Sequence, residues 1–459
     1  MSPEIAPASL PGDETLLFGW GGTAPTRAHL ATPLTDADAH HLLSAAPKRG
    51  VVARGLGRAY GDAAQNAGGL VLDATALSGI VDADLERGIV TARGGTSLDE
   101  LMRWLIPRGW FLITPGTRYV TVGGAIASDI HGKGHHVDGT FGNKVQSFRL
   151  LTGTGEIRNI HRDTEPDVFW ATTGGMGLTG VILDATFELI PTETRFIRVD
   201  EERCADLDAM FAAMESTDAE YRYSVAWIDC GARGRHLGRG VLGRGNHACF
   251  DEIPKAKQAR AHTFGPRQLA IAPPLMPSGL INSWTVKAFN EFWYRKTRLS
   301  HRSSIQDIGL FFHPLDLVDE WNRVYGRRGF VQYQFVVPFG AENTVRQIIE
   351  ALSNENLPSF LAVLKRFGPE NPGMLSFPIP GWTLAVDIPV SRSSLARTLD
   401  RFDEMVIQAG GRVYLAKDAR TRPENLDTMY PRLPEWRAVR NALDPDHVLN
   451  SDLARRLGL

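Results

Sequence analysis

Apolar residues follow two rhythms along this chain. In the first 190 residues they form short runs of strand length, "GVVARG" (50–55), "GLVLD" (69–73) and "GIVTARGG" (88–95), rich in β-branched residues and bounded by glycine. Between and after them the period changes. "SLDELMRWLIPRG" (97–109) predicts a helix with Ser97 at its N-cap, Glu100 completing a capping box and Gly109 closing it. "DVFWATTGGMGLTGVILDATFELIP" (167–191) predicts a short helix, a glycine turn and a long strand ending at Pro191. From about 195 to 411 helices such as "DLDAMFAAMES" (206–216) mix with alternating strands such as "FVQYQFVVP" (330–338) and "WTLAVDIPV" (382–390). After "GGRVYLAKDART" (410–421) the chain ends in helical segments.

At 459 residues the chain exceeds one ordinary core, so two or three domains are expected. A hydrophobic fraction of 43% with 22% charged residues excludes global disorder, and a net charge of −2 gives no field that would gather nucleic acid. Cys204, Cys230 and Cys249 form no CxxC pair, which points to a reducing compartment. The N-terminal stretch lacks the basic start and continuous apolar core of a Sec signal. Residues 268–286 carry no charge, but Pro273, Pro274, Pro277 and Gly279 make a spanning helix unfavourable there. The expectation is a protein that touches a membrane surface without crossing it, the cytoplasmic face favoured over the periplasmic. Two neighbouring stretches are candidates for that contact. One is "RGRHLGRGVLGRG" (233–245), either a solvated loop or a landing strip in which Arg233, Arg235, Arg239 and Arg244 meet phosphate or anionic lipid. The other is 268–286 with Leu275, Met276, Leu280 and Ile281.

Candidate chemistry sits in the glycine segments. "ARGLGRAYGDAAQN" (53–66) follows a strand as a dinucleotide fingerprint would, but Gly55 and Gly57 are followed by Gly61, which breaks the GxGxxG spacing by one. "DAAQNAGG" (62–69) is also too short for a crossover helix, so Asp73 is a decoy for the ribose-binding acid. "GGAIASDIHGKGHH" (123–136) sets His131 and His135 four apart, the spacing of two metal ligands on a helix, yet Gly132 and Gly134 disfavour that helix. A glycine loop with solvated histidines, or a backbone in close approach to a ligand, are the other readings. Four such segments in order (53–63, 115–124, 123–136 and 174–180) point to one long ligand held by backbone N–H groups.

"RGLGRAYGD", "PGTRYVTVGGAIASDIHGKGHH", "GTFGNKV", "FWATTGGMGLTG" and "YLAKDART" resemble the FAD-binding oxidoreductases of the vanillyl-alcohol-oxidase (PCMH-type) fold. Within these the chain is most similar to the decaprenylphosphoryl-β-D-ribose 2′-oxidases, flavin subunits of an actinobacterial 2′-epimerase. "FHPLDLVDEWNRVYG", "LSFPIPGW" and "DLARRLGL" extend the likeness nearly end to end. The resemblance implies an α+β fold: an FAD-binding domain (1–194), a substrate domain on an antiparallel sheet (195–411) and a C-terminal segment (412–459) returning to the first. It implies non-covalent FAD, a polyprenylphosphoryl-ribose substrate, an NAD(P)H-dependent short-chain reductase partner and a peripheral place on the membrane.

It also implies site residues. Ala53, Arg54, Gly55, Leu56, Gly57, Arg58, Ala59, Tyr60, Gly61, Asp62 and Ala63 would wrap the pyrophosphate and reach the isoalloxazine. Gly116, Thr121, Val122, Gly123, Gly124, Ser128, Asp129, Ile130, His131, Ile182 and Tyr414 would complete the FAD cradle, His131 as a contact that orients the ring. The chain departs from the mycobacterial pattern near the substrate: Ala385 replaces an expected cysteine, Thr383 an asparagine and Phe312 a tyrosine.

The reaction implied is oxidation of a secondary alcohol, a hydride leaving the sugar C2′ as the hydroxyl proton is removed. Lys417 is the first candidate for the substrate-side catalytic residue, because a desolvated amine can take that proton or stabilise an alkoxide. The alternative is a surface lysine paired with Asp418. Tyr60 is the second, either orienting substrate or a packed ring. Gln332 and Gln334 share one strand face and would bind sugar hydroxyls if it looks into the pocket. Lys365 could meet the substrate phosphate.

Overall fold

The computed structural model describes residues 10–273, 281–297, 302–357, 359–390 and 394–459. The short apolar runs at the start of the chain build a four-stranded sheet in the order Asp13–Leu17, Thr26–Ala31, Leu70–Asp73, Val51–Arg54. Its last three strands are parallel, and the leucines and valines of Leu70–Asp73 and Val51–Arg54 are fully buried, as expected where both faces are covered. A second sheet, antiparallel, runs Ile80–Asp84, Ile89–Arg93, Val181–Glu188, Val145–Leu151, Ile157–His161. The expected helix spans Leu98–Leu105: the Ser97 hydroxyl accepts from Glu100 N, the Glu100 carboxylate accepts from Ser97 N, and Gly109 lies beyond at φ 83°.

Residues 196–413 form the third sheet, eight-stranded among the described residues and antiparallel at every pair. Its order is Arg302–Asp307, Phe196–Cys204, Gly240–His247, Tyr223–Ile228, Ala362–Phe367, Gly381–Pro389, Phe330–Pro338, Arg412–Val413. This is the α+β architecture with a large antiparallel sheet that the resemblance implies. Because side chains alternate along each strand, the sheet has two different faces. Ala226, Leu364, Leu384, Val386, Tyr333 and Phe335 face one way, in one core with Leu207–Thr217, Glu342–Asn354 and Leu395–Gln408. The residues one position away face the N-terminal half. The cross-strand rows Gln334–Ala385–Val363–Trp227–Val241 and Val225–Gly243–Glu201–Arg302 make up that second face.

One expectation changes here. The arginine-glycine run 233–245 is not a loop throughout, since Gly240–His247 is an inner strand of the large sheet, and of its arginines only Arg233 and Arg235 are exposed. Arg244 is 3% exposed and pairs with Glu202 at 2.7 Å, Arg239 pairs with Asp229 and Glu291, and Arg233 Nε donates to Ser353 Oγ at 3.0 Å. The glycines serve the sheet: a Cβ at Gly240 would stand 2.1 Å from the Trp227 carbonyl oxygen. Of the apolar candidates in 268–286, Leu275, Met276 and Leu280 lie outside the described residues. Among the described residues no helix is long and apolar enough to cross a membrane.

Candidate active site

Between the glycine segments and the second face of the large sheet lies a cavity of about 830 Å³, at the upper end of the ~300–1,000 Å³ usual for ligand pockets. One wall comes from 53–60, 115–133 and 176–182, the other from alternate residues of the sheet, with Tyr414, Ala416 and Lys417 closing one side.

Thr121 caps the helix Val122–Ala127, its hydroxyl accepting from Gly124 N at 3.2 Å, and Gly123 N donates to the Gly94 carbonyl at 2.8 Å. These contacts hold the 115–124 segment flat against the second sheet. Gly55 is needed where the first segment crosses it, since a Cβ there would stand 2.3 Å from Thr121 Oγ1. At Gly116 and at Gly177, which has φ +76°, an added Cβ would meet no atom of the chain within 4 Å, and both line the cavity. Backbone without side chains thus faces an elongated space, flanked by the Arg58 guanidinium 3.7 Å over the Trp20 ring. That is a cradle fitting a long, planar, phosphate-bearing cofactor.

Of the expected cofactor contacts, Ala53 to Tyr60, Ala63, Gly116, Thr121, Gly123, Gly124, Ser128, Ile130, His131, Ile182 and Tyr414 line the cavity. Gly61, Asp62, Val122 and Asp129 do not. Gly61 packs on the 414–418 turn, where a Cβ would stand 1.8 Å from the Asp418 carbonyl oxygen. Asp62 is bound to Arg456 at 2.7 Å, and Val122 is buried in the core with Ala125 and Ile126. Asp129, at φ 41°, is fully buried and accepts from Asn371 Nδ2 at 2.7 Å and Gly142 N at 3.0 Å. Of the expected substrate contacts, Gln332, Gln334, Lys365, Phe312, Ala385 and Lys417 line the cavity. Thr383 stands one layer behind, fully buried, its hydroxyl accepting from Gln334 Nε2 at 3.2 Å.

Two clusters occupy the middle. In the first, His131 Nε2 is 3.1 Å from Gln334 Nε2 and Nδ1 is 3.1 Å from Lys365 Nζ. Burial holds the His131 pKa well below the ordinary value, and Lys365 pushes the same way, so the ring is neutral. Burial also pushes Lys365 down to about 7. Of the ring's two nitrogens one donates and the other accepts, and Gln334 and Lys365 between them engage both. His131 and His135 are not metal-ligand neighbours on one helix. His131 precedes the helix His135–Asp138, and His135 Nδ1 accepts from Gly368 N at 3.1 Å.

In the second cluster Lys417 Nζ lies 3.7 Å over the Tyr60 ring, pushed down to about 7 by burial against the opposing pull of Asp387. Lys417 is therefore no surface lysine of Asp418, which pairs with Arg456 at 2.8 Å instead. Burial raises Asp387 to about 7; its Oδ1 accepts from Gln332 Nε2 at 2.5 Å and its Oδ2 from Tyr325 OH at 3.4 Å. An amine titrating near neutrality, a neutral imidazole and two amides on one wall suit binding of a polyol and removal of a hydroxyl proton.

Sequence reasoning missed three residues here. Asp387 had a signal, as a carboxylate at an inward position of the strand "WTLAVDIPV". Lys133, which lines the cavity and is pushed down to about 7 by burial, sits inside the motif already singled out. Trp20 had none, because only the fold brings it to Arg58.

Comparison with known proteins agrees with this geometry. Residues 28–161 match a family model described as FAD binding domain, and 384–457 one described as D-arabinono-1,4-lactone oxidase. The decaprenylphosphoryl-beta-D-ribose oxidase of Mycolicibacterium smegmatis is 46% identical over 96% of this chain and 97% of its own length. An uncharacterised Streptomyces coelicolor protein is 38% identical over 79% of this chain and 100% of its own. The L-gulono-1,4-lactone dehydrogenase of Mycobacterium tuberculosis is 24% identical over 93% and 95%. The cofactor is FAD, and the reaction class is oxidation of a CH–OH group.

Proposed function

The chain belongs to the decaprenylphosphoryl-β-D-ribose oxidase family, and on that premise we propose that it oxidises the ribose 2′-hydroxyl of a polyprenylphosphoryl-β-D-ribose to the 2′-ketone. The observation that carries this reading is the continuity of the cavity. Its polar middle, with Lys417, Gln332, Gln334 and His131, opens along the sheet onto Val363, Trp227, Val225 and Val241. A sugar phosphate with a long apolar tail has that same order of polar head and greasy remainder.

Bound FAD supplies the two-electron acceptor. Ala53 to Tyr60, Ala63, Gly116, Thr121 to Gly124 and Ser128 to His131 are taken as its holders, those off the wall acting through the turns they fix. Lys417 is assigned the hydroxyl proton, with Tyr60 under its amine setting the direction of approach. Gln332 and Gln334 are assigned the sugar hydroxyls, and Lys365 the phosphate. Phe312, Ala385 and Thr383, behind Gln334, would tune the fit. Residues 1–194 and 412–459 act together on the cofactor, the latter also supplying Lys417 to the substrate, which 195–411 binds. A ketone on C2′ has to be reduced from the opposite face to complete epimerisation, which calls for an NAD(P)H-dependent short-chain reductase as partner. A lipid substrate calls for a peripheral place on a membrane.

Anaerobic bleaching of the flavin tests this. Polyprenylphosphoryl ribose, and a soluble short-chain analogue of it, should reduce the enzyme while free alditols and aldonolactones do not. Equal reduction by an aldonolactone would favour the second reading, oxidation of another sugar or polyol, to which the match at 384–457 gives some weight.

A further inference from the structure

The helix Ser283–Lys296 turns aromatic rings outward and an amide inward. Asn282 caps it, its side-chain oxygen accepting from Trp284 N at 2.9 Å and Thr285 N at 3.1 Å. Its inner face, buried at Val286 and Asn290, is anchored by polar groups. Asn290, 1% exposed, donates from Nδ2 to Asp229 Oδ1 at 2.8 Å, and Glu291 pairs with Arg239 at 2.7 Å. Its outer face carries Trp284 at 84% exposure and Phe292 at 64%, with Phe289 stacked on Trp293 at 5.9 Å between centroids. A helix on a water-facing surface ordinarily buries its aromatics and shows its amides. Six of the sixteen exposed large apolar side chains among the described residues fall in 269–293, so this is a patch and not scatter.

The patch is also the rim of the active-site cavity. Trp293 and Lys296 of the helix line it. Exposed Leu269 and Ile271 belong to a segment whose strand Ala270–Ile271 pairs with Val318–Asp319, and both of those line it too. Lys287, Arg295 and Lys296 give the exposed side a positive border, while the one acid of the helix, Glu291, is held by Arg239 and Arg295. Aromatic rings flanked by cations are what a helix lying in a headgroup layer carries. We infer that the outward face of Ser283–Lys296, with Leu269 and Ile271, docks the enzyme on an anionic phospholipid surface and sets the cavity mouth at headgroup level. This rests on the reading that the substrate is lipid-linked; of the arginines at 233–245, Arg239 enters only as the internal partner of Glu291 and not as a lipid contact.

The test uses the FAD-loaded enzyme and vesicles of phosphatidylglycerol and phosphatidylethanolamine. Trp284→Ser/Phe292→Ser, neither of which lines the cavity, should lower vesicle binding at least 10-fold. It should leave bleaching by the soluble short-chain analogue unchanged and slow bleaching by vesicle-borne substrate. Brominated lipid should quench wild-type tryptophan fluorescence, and Trp284→Phe, which keeps the apolar face, should lose part of that quenching while still binding. Unaltered vesicle binding by the double variant overturns the docking face, as does absence of quenching in the wild type should the variant not fold. A dimer that the double variant abolishes, without vesicle binding by the wild type, assigns the patch to a second copy and also overturns it. None of these results bears on the sugar oxidation, which the short-chain analogue reports separately.

Discussion

Lys417 is a buried amine over a tyrosine face, drawn up by a carboxylate that titrates in the same range and pushed down by Lys365. A base must be neutral to accept a proton, so the rate of flavin reduction by substrate should rise with pH through about 7. Lys417→Ala should keep its flavin and lose about 10²-fold or more in that rate, the usual scale for a proton-transfer group. Near-normal single-turnover rates would remove Lys417 from the chemistry. Asp387 favours the charged amine, so Asp387→Asn should move the acidic limb of the pH profile down by roughly one unit, within the range a nearby opposite charge commands. A variant that merely lost packing would leave the limb in place. His131 makes a further prediction. It is the one histidine on the cavity wall among the described residues, and both its ring nitrogens are engaged, by Gln334 and Lys365. Neither is free to bond a flavin carbon, so acid precipitation should release FAD from the chain; flavin retained on the denatured protein would contradict this.

At the scale of elements, the site is a crossing of turns. The segment 53–63 meets 414–418 through Tyr60 N donating to the Ala416 carbonyl at 2.9 Å, and Gly61 fits because it has no side chain. That crossing places Tyr60 beneath Lys417. Gly61→Ala would drive a methyl into the Asp418 carbonyl, backbone that cannot turn aside. It should cost at least ~1–3 kcal/mol, the scale of overpacking in a tight site, and should weaken FAD retention together with the Lys417-dependent rate. Thermal melting and flavin content on gel filtration read both. A variant as stable and as yellow as the wild type would show that the turns can separate without loss. The second face of the large sheet contributes the opposite wall by strand alternation alone, which is why Gln332 and Gln334 arrive together.

Across the whole molecule, the last helix ties the 53–63 segment to the 414–418 turn. Arg456, in Asp452–Leu457, bridges Asp62 at 2.7 Å and Asp418 at 2.8 Å, one acid from each of the crossing segments. Burial penalises the Asp418 charge and Arg456 more than compensates, holding its carboxyl below the ordinary range. Arg456→Ala would leave that carboxylate enclosed without its cation, a loss on the order of 3–5 kcal/mol, read as a lowered denaturation midpoint. Since the Asp418 pKa is depressed, the stability it contributes is present above the ordinary carboxylate range and fades as pH falls below it, so wild type and variant should converge in acid. A constant difference between them down to low pH would show that Arg456 acts through packing.

The sequence by itself determined the elements and the class of ligand. The capped helix at 98–105, the strands at 51–54, 70–73 and 330–338 and the glycine segments are local statements, fixed by side-chain period, capping and the absence of Cβ. The likeness of those segments to flavin oxidoreductases carried FAD with it. Tertiary structure decided which residues reach the cavity. Nothing in the sequence says that Gly57 and Arg58 line the cavity while Gly61 meets a neighbouring turn and Asp62 meets Arg456. The arginines at 233–245 read as a solvated run because the acids that hold Arg239 and Arg244, namely Asp229, Glu291 and Glu202, lie ten or more positions away in the chain. A charge's partner, and therefore whether it is spent inside the fold or offered to a ligand, depends on distances in space that no periodicity along the chain records.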